Sequence, residues 1–302
     1  MSTISLPCKL LCASVAAYAI NPKDRSGQYD PATGTDYEKE YKAVSFIGTP
    51  YVITDLQIEA ALVGKTEFGI IVAFRGTLPP ALHWDSILDW IQDFFMPTTK
   101  YPDIEGEIHA GFAFAFTALR DGIFKAVKEL DQGAGLPVYI TGHSKGGGIA
   151  PIAGMFFKKS GLLNVEQVIT FAGPHPGNLA FGKSYSQLFP KAIRYENYLD
   201  IIPLLPPNPE FVDLLETLPG LPKKFVELLN EMKSLDYEPV GYLRYIDHKG
   251  KVNPLVPGET TRIKAIRDHL MTGQFSSVVD AHHPGCGYRY MKAVCGGTVC
   301  DS

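Results

Sequence analysis

The pentapeptide Gly142-His143-Ser144-Lys145-Gly146 constrains this chain more than any other stretch. It fits Gly-x-Ser-x-Gly, the pattern of a serine held on a sharp turn between a strand and a helix. Small residues two places before and two after let such a turn close without a clash. The flanks agree with that geometry. The apolar run Val138-Tyr139-Ile140 precedes it. Gly147, Gly148, Ile149 and Ala150 follow, small enough at the start for a helix to lie close on a sheet. The bland reading is an incidental serine in a Gly-rich turn, and the flanking strand and helix signals weigh against it.

The rest of the chain alternates in the same way. Leu10 to Ile20 reads as a helix and Asp24 to Glu38 as a polar loop. Tyr41 to Ile47, Val52 to Val63 and Glu67 to Phe74 are rich in β-formers and read as strands. His109 to Leu130 carries Phe112, Phe116, Leu119, Ile123, Val127 and Leu130 at helical spacing. Pro137 to Thr141, Val165 to Ala172, Ala192 to Tyr195 and Val240 to Ile246 read as further strands. Gly146 to Lys158 and Ile263 to Val279 read as helices. The segment from Leu204 to Tyr237 breaks the rhythm; Phe225, Leu228, Leu229 and Met232 share one helical face, so it reads as a helical insertion. The alternation predicts an α/β fold: a mostly parallel central sheet with helices on both faces. No linker-like boundary interrupts it, so residues 1–302 are expected to form a single domain.

Composition removes several classes of function. The 17 Phe and 15 Tyr, with abundant aliphatic residues, exclude a disordered chain. A net charge of −4 argues against a nucleic-acid binder. The longest apolar run, Leu10 to Ile20, is too short to span a bilayer. Met1 to Pro7 has no Lys or Arg, so no cleavable signal is expected; the location stays open between the cytoplasm and non-classical export. Neither CxxC nor HExxH occurs, so no metal is expected. The five cysteines read as scattered reduced thiols, with a disulfide among Cys286, Cys295 and Cys300 as the alternative.

A serine at its own pKa is a poor nucleophile and needs an imidazole base oriented by a carboxylate. Around this type of elbow the chain order is Ser, then Asp or Glu, then His. Asp200 follows the strand around Ala192–Tyr195 and fits the acid. Glu196, at the edge of that strand, is a weaker rival. Asp213, Glu216 and Asp236 read as solvated charges. Order leaves His248, His269, His282 and His283 for the base; His248, beside Asp247 and Lys249-Gly250, looks like a hairpin turn.

Val72-Ala73-Phe74-Arg75-Gly76-Thr77, the elbow, Thr170-Phe171-Ala172-Gly173-Pro174 and the Asp200 segment occur in the order found in the class 3 lipases. The chain resembles that family over roughly residues 40 to 205, and its bacterial members in particular. The departure is Lys145, where many members carry an apolar residue. The resemblance implies an α/β-hydrolase fold with no cofactor. It implies an oxyanion hole made by the backbone N–H groups of Thr77 and Lys145. It places the base near the C-terminus before an aromatic residue, which favours His282, with His283 and His269 as alternatives. It also implies a lid over Leu82 to Ile91, with Trp84, Ile87 and Leu88 as its apolar face; a plain amphipathic helix packed on the core is the other reading. The expected substrate is a lipid or other ester, met in solution or at a lipid–water interface. An esterase of soluble or feruloyl-type esters is the enzymatic alternative, and a silent lipase-like binding protein the non-enzymatic one.

Overall fold

The computed structural model describes residues 4–21, 23, 37–77, 94–207, 211–213, 216, 223, 227, 230–231, 233–253 and 258–301. Its main sheet has eight strands: β1 (Tyr51–Thr54), β2 (Ala60–Thr66), β3 (Gly69–Phe74), β4 (Val138–His143), β5 (Val165–Phe171), β6 (Ile193–Asn197), β7 (Tyr242–Ile246) and β8 (Val252–Asn253). Their order across the sheet is their order along the chain. β1, β2 and β3 form an antiparallel meander. β3 to β7 run parallel. β8 returns antiparallel on β7.

The pleat explains why both faces are covered. Successive side chains of a strand point to opposite faces. Ile70, Val72 and Phe74 of β3 join one apolar cluster with Phe112, Phe116, Ile149 and Ile152. Ile71 and Ala73, one register out, join a second cluster with Leu10, Leu11 and Val15. The first cluster belongs to helices α3 (Ala110–Asp131) and α4 (Lys145–Lys159), and the second to α1 (Leu6–Ala16). Every residue of α1 from Cys8 to Ala16 is buried, because the helix lies between the sheet and two further helices, α2 (Glu38–Val44) and α8 (Arg289–Cys295). Between α4 and α8 come α5 (Leu179–Leu188), α6 (Glu259–Met271) and α7 (Phe275–His282).

Four expectations are corrected. Tyr41 to Ile47 is not a strand: its first part is in α2, whose Glu40 and Val44 are buried one turn apart and which ends at Ser45 in the left-handed region. Packing on α1 outweighs β-propensity there. Val52 to Val63 is two strands, because Asp55 Oδ1 accepts from the N–H groups of Gln57, Ile58 and Glu59 at 2.8, 2.8 and 2.9 Å and turns the chain. Ile263 to Val279 is interrupted at Gly273 (φ 71°) and becomes two helices. The cysteines are not scattered thiols: Cys8 pairs with Cys295 and Cys286 with Cys300, while Cys12 is free and buried. Of the insertion, Phe211 and Val212 are buried against the core; its apolar face at Phe225, Leu228, Leu229 and Met232 lies outside the described residues. No helix among the described residues is long and apolar enough to cross a membrane.

Candidate active site

β4 ends at His143, α4 begins at Lys145, and Ser144 alone lies between them. Its φ of 57° and ψ of −131° are rarely adopted by a residue with a side chain, at a cost on the order of 1–3 kcal/mol. The neighbouring glycines allow the packing that holds it. A Cβ on Gly142 would lie 2.2 Å from the carbonyl of Gly146, and one on Gly146 would lie 2.2 Å from Phe74 O. Ser144 is wholly buried, and its Oγ has no hydrogen-bond partner among the described residues. A serine–histidine hydrogen bond is therefore not made in this arrangement; such bonds often tighten only when substrate binds.

Asp200 stands in the turn after β6, where its N–H bonds Asn197 O at 3.0 Å. His282, the last residue of α7, brings Nδ1 to 2.9 and 3.0 Å from the two carboxylate oxygens of Asp200. Asp200 also accepts from the Ile202 N–H at 3.1 Å and from the Tyr290 hydroxyl at 2.7 Å. That hydroxyl accepts in turn from the Asn197 N–H at 3.0 Å, so its own proton is directed at the carboxylate. Asn197 Nδ2 donates to Ala281 O at 2.8 Å and ties the β6 end to the residue before His282. A carboxylate only accepts, so Nδ1 of His282 carries the proton of this bond, and in the neutral imidazole Nε2 is the acceptor. Burial and the Asp200 charge push the Tyr290 phenol well above its ordinary pKa, which keeps it a donor.

A second buried chain runs behind the elbow. His143 Nε2 lies 2.8 Å from His282 O, which only accepts, so Nε2 of His143 is protonated. Burial first, and the neighbouring His282 second, push the His143 pKa well below the usual value, so the ring is neutral. Its Nδ1 therefore accepts, and the Tyr18 hydroxyl donates to it at 2.8 Å. The rings of His143 and His282 stand 4.6 Å apart, so the His282 imidazole packs against the residue that precedes the serine. The segment after α1 thus helps to hold His282 through its backbone.

The other candidates lie elsewhere. His283 is partly buried, stacks on Tyr288 at 3.8 Å, and uses Nδ1 to accept from the Gly285 N–H. His269 bonds back to Ala265 O within α6 and lines an open pocket of about 380 Å³ with Tyr198, Asp280, Arg289 and Lys292. Glu196 is also committed: Arg194 Nε and Arg262 Nη2 each hold one of its oxygens at 2.6 Å. Burial opposes the charge on Glu196, but the two guanidinium groups outweigh it and hold the pKa below the usual value. Thr77 is exposed, three residues beyond the end of β3, and Lys145 opens α4. Trp84, Ile87 and Leu88 lie outside the described residues. Tyr18, Asn197, His143 and Tyr290 were not singled out by sequence; the one available signal was the aromatic pair Tyr288 and Tyr290 after the histidines.

Residues 71–210 match the family described as Lipase (class 3). That span contains Ser144, Asp200, Thr77 and Lys145 but not His282. Phospholipase A1-Igamma2 of Arabidopsis thaliana is 28% identical over 68% of this chain and 42% of its own length. A lipase of Caenorhabditis elegans is 27% identical over 65% of this chain and 54% of its own. The chain thus spans about half, or less, of these relatives. Among solved structures, a fungal lipase superposes with a TM-score of 0.62 at 18% identity, covering 96% of both chains. The mono- and diacylglycerol lipase of Aspergillus oryzae gives 0.52 at 22% identity, over 67% of this chain and 74% of its own. With its elbow serine, parallel sheet and ordered motifs, the chain is similar to the class 3 lipase family over residues 71–210 and has the α/β-hydrolase fold.

Proposed function

We propose that the chain is a serine carboxylic-ester hydrolase, a lipase cleaving acylglycerols. The observation that carries this reading is the Asp200–His282 pair, whose imidazole packs against His143, the residue before a strained, buried serine at the head of α4. In it, Ser144 Oγ attacks the acyl carbon while His282 Nε2 takes its proton, and Asp200 holds the imidazolium that forms. The Thr77 and Lys145 backbone N–H groups receive the oxyanion, each worth on the order of 10²–10³ in turnover. His282 then protonates the leaving alcohol. Water, activated by the same imidazole, releases the acid from the acyl-enzyme. Acylated glycerol esters are favoured as substrates because relatives named both lipase and phospholipase A1 align with this chain. Trp84, Ile87 and Leu88 belong to the same proposal as a lid face that would be buried in lipid at an interface.

The test is labelling with a fluorophosphonate probe followed by peptide mapping. The label is expected on Ser144. Ser144→Ala and His282→Ala should each stay folded yet lose several orders of magnitude in turnover of a p-nitrophenyl ester, whereas His283→Ala should stay close to wild type. Activity persisting in Ser144→Ala above about a tenth of wild type would overturn the nucleophile. Loss in His283→Ala or His269→Ala with His282→Ala intact would move the base.

A further inference from the structure

The departure at Lys145 has a partner. Lys145 Nζ lies 2.5 Å from Glu59 Oε1, with the lysine side chain 22% exposed and the glutamate side chain 9% exposed. Glu59 is not on a flexible arm. The Asp55 carboxylate gathers the N–H groups of residues 57 to 59, and Asp55 N–H bonds Glu59 O at 3.2 Å. The same short loop grips Arg75, whose Nη2 donates to Ile58 O at 2.8 Å and whose N–H donates to Ala60 O at 2.9 Å. Nη1 of Arg75 reaches Ile20 O at 3.2 Å, and Glu59 and Asp55 both act on the Arg75 charge. Arg75 lies two residues before Thr77. Lys145 immediately follows Ser144.

From this connectivity we infer that Glu59, through its ion pair with Lys145 and its loop's grip on Arg75, is a positioning residue that sets the spacing of the two oxyanion-hole amides. The inference rests on the ester-hydrolase reading above. The amides of Thr77 and Lys145 belong to two segments with no backbone ladder between them beyond Phe74 and Gly142. A cation at the first residue of a helix is electrostatically unfavourable, since the helix N-terminus is itself positive, so charge alone does not favour Lys145 there. A buried carboxylate across from it reverses that balance and gives the side chain a fixed direction. An apolar residue at this place can brace the turn only by packing. Here the brace is ionic and reaches the loop that holds Arg75.

The experiment compares Lys145→Met, Glu59→Gln, the double variant and Lys145→Arg in the full chain. It reads kcat and KM on a short soluble ester, affinity for an alkylboronic acid as a tetrahedral mimic, and melting temperature. Both single variants should lower kcat about tenfold and weaken the boronic acid in parallel, with KM within about twofold, since only transition-state binding is lost. Lys145→Arg should recover most of the activity. The double variant should regain stability, because no charge is left buried alone, yet keep the low kcat. A double variant that recovers kcat with stability, or single variants with unchanged boronic-acid affinity, would reduce the pair to a structural role and overturn the inference. A wild-type chain that neither turns over ester nor takes the fluorophosphonate label would instead overturn the hydrolase reading, and this inference with it.

Discussion

Tyr290 shows what one side chain can do in a buried site. Its hydroxyl links the Asn197 N–H to the Asp200 carboxylate, and all three groups are buried. Tyr290→Phe removes an acceptor from a backbone donor and a donor from a carboxylate while keeping the ring. A buried polar group left unsatisfied costs about 1–3 kcal/mol, so the urea midpoint should fall accordingly. Turnover should fall about tenfold, the equivalent of one net hydrogen bond to the carboxylate. Unchanged midpoint and kcat together would remove Tyr290 from the site. The places of Ser144 in a tight strand-to-helix turn and of Asp200 just past a strand could be read from sequence because local signals mark them: glycines that let a turn close, and an acid just beyond a strand. Tyr290 could not, because it meets Asp200 across 90 residues and nothing local marks that contact. The same holds for Tyr18, which meets His143 across 125 residues.

Among the elements, the long periodic ones were legible and the short ones were not. The buried face of α3, at Phe112, Phe116, Leu119, Ile123 and Val127, follows directly from its spacing. α2 was misread because Tyr41 and Val44 suit a strand locally and take a helix only against α1. The hidden polar join between β6 and α6 had no sequence signature either. Glu196 on β6 meets Arg262 on α6 and Arg194 on its own strand, and Arg194 also donates to Gly241 O beside β7. Removing one partner of a buried ion pair leaves the other charge uncompensated. Arg262→Met should therefore cost about 3–5 kcal/mol in unfolding free energy, nearer the lower figure because Arg194 remains. A loss below about 1 kcal/mol in urea unfolding would mean that Arg194 alone satisfies the carboxylate.

At the scale of the molecule, the two ends of the chain meet. Cys8 and Cys295 join α1 to α8 across 287 residues, and both ends send a tyrosine hydroxyl toward the site. No spacing rule in a sequence reveals such a pairing, which is why the cysteines were misread. The fold also buries several histidines in neutral form, and this sets its behaviour in acid. Burial pushes His109 and His175 down from 6.5 to about 4. The nearby Lys145 lowers His109 further; at His175, Glu196 and Arg194 act in opposite directions. His109 has a definite tautomer, with Nε2 donating to Phe94 O at 3.0 Å and Nδ1 accepting from the Phe112 N–H at the start of α3. A proton on Nδ1 would abolish that cap. Above pH 6.5 both histidines are neutral in the folded and the unfolded chain, so they add no pH dependence. As the pH falls from 6.5 toward 4, the unfolded chain takes up protons that the folded chain refuses, and stability is lost across that window. Each group should cost about 2 kcal/mol by pH 5 and about 3 kcal/mol by pH 4, a large share of a typical 5–15 kcal/mol. Urea unfolding at pH 7, 6, 5 and 4.5 should therefore give a steadily falling free energy. His109→Asn keeps an acceptor at the helix start but does not titrate, so its slope should be about half as steep from these two groups. A free energy that is level between pH 7 and 5 would show that these rings protonate in place, and that their burial does not exclude the charge.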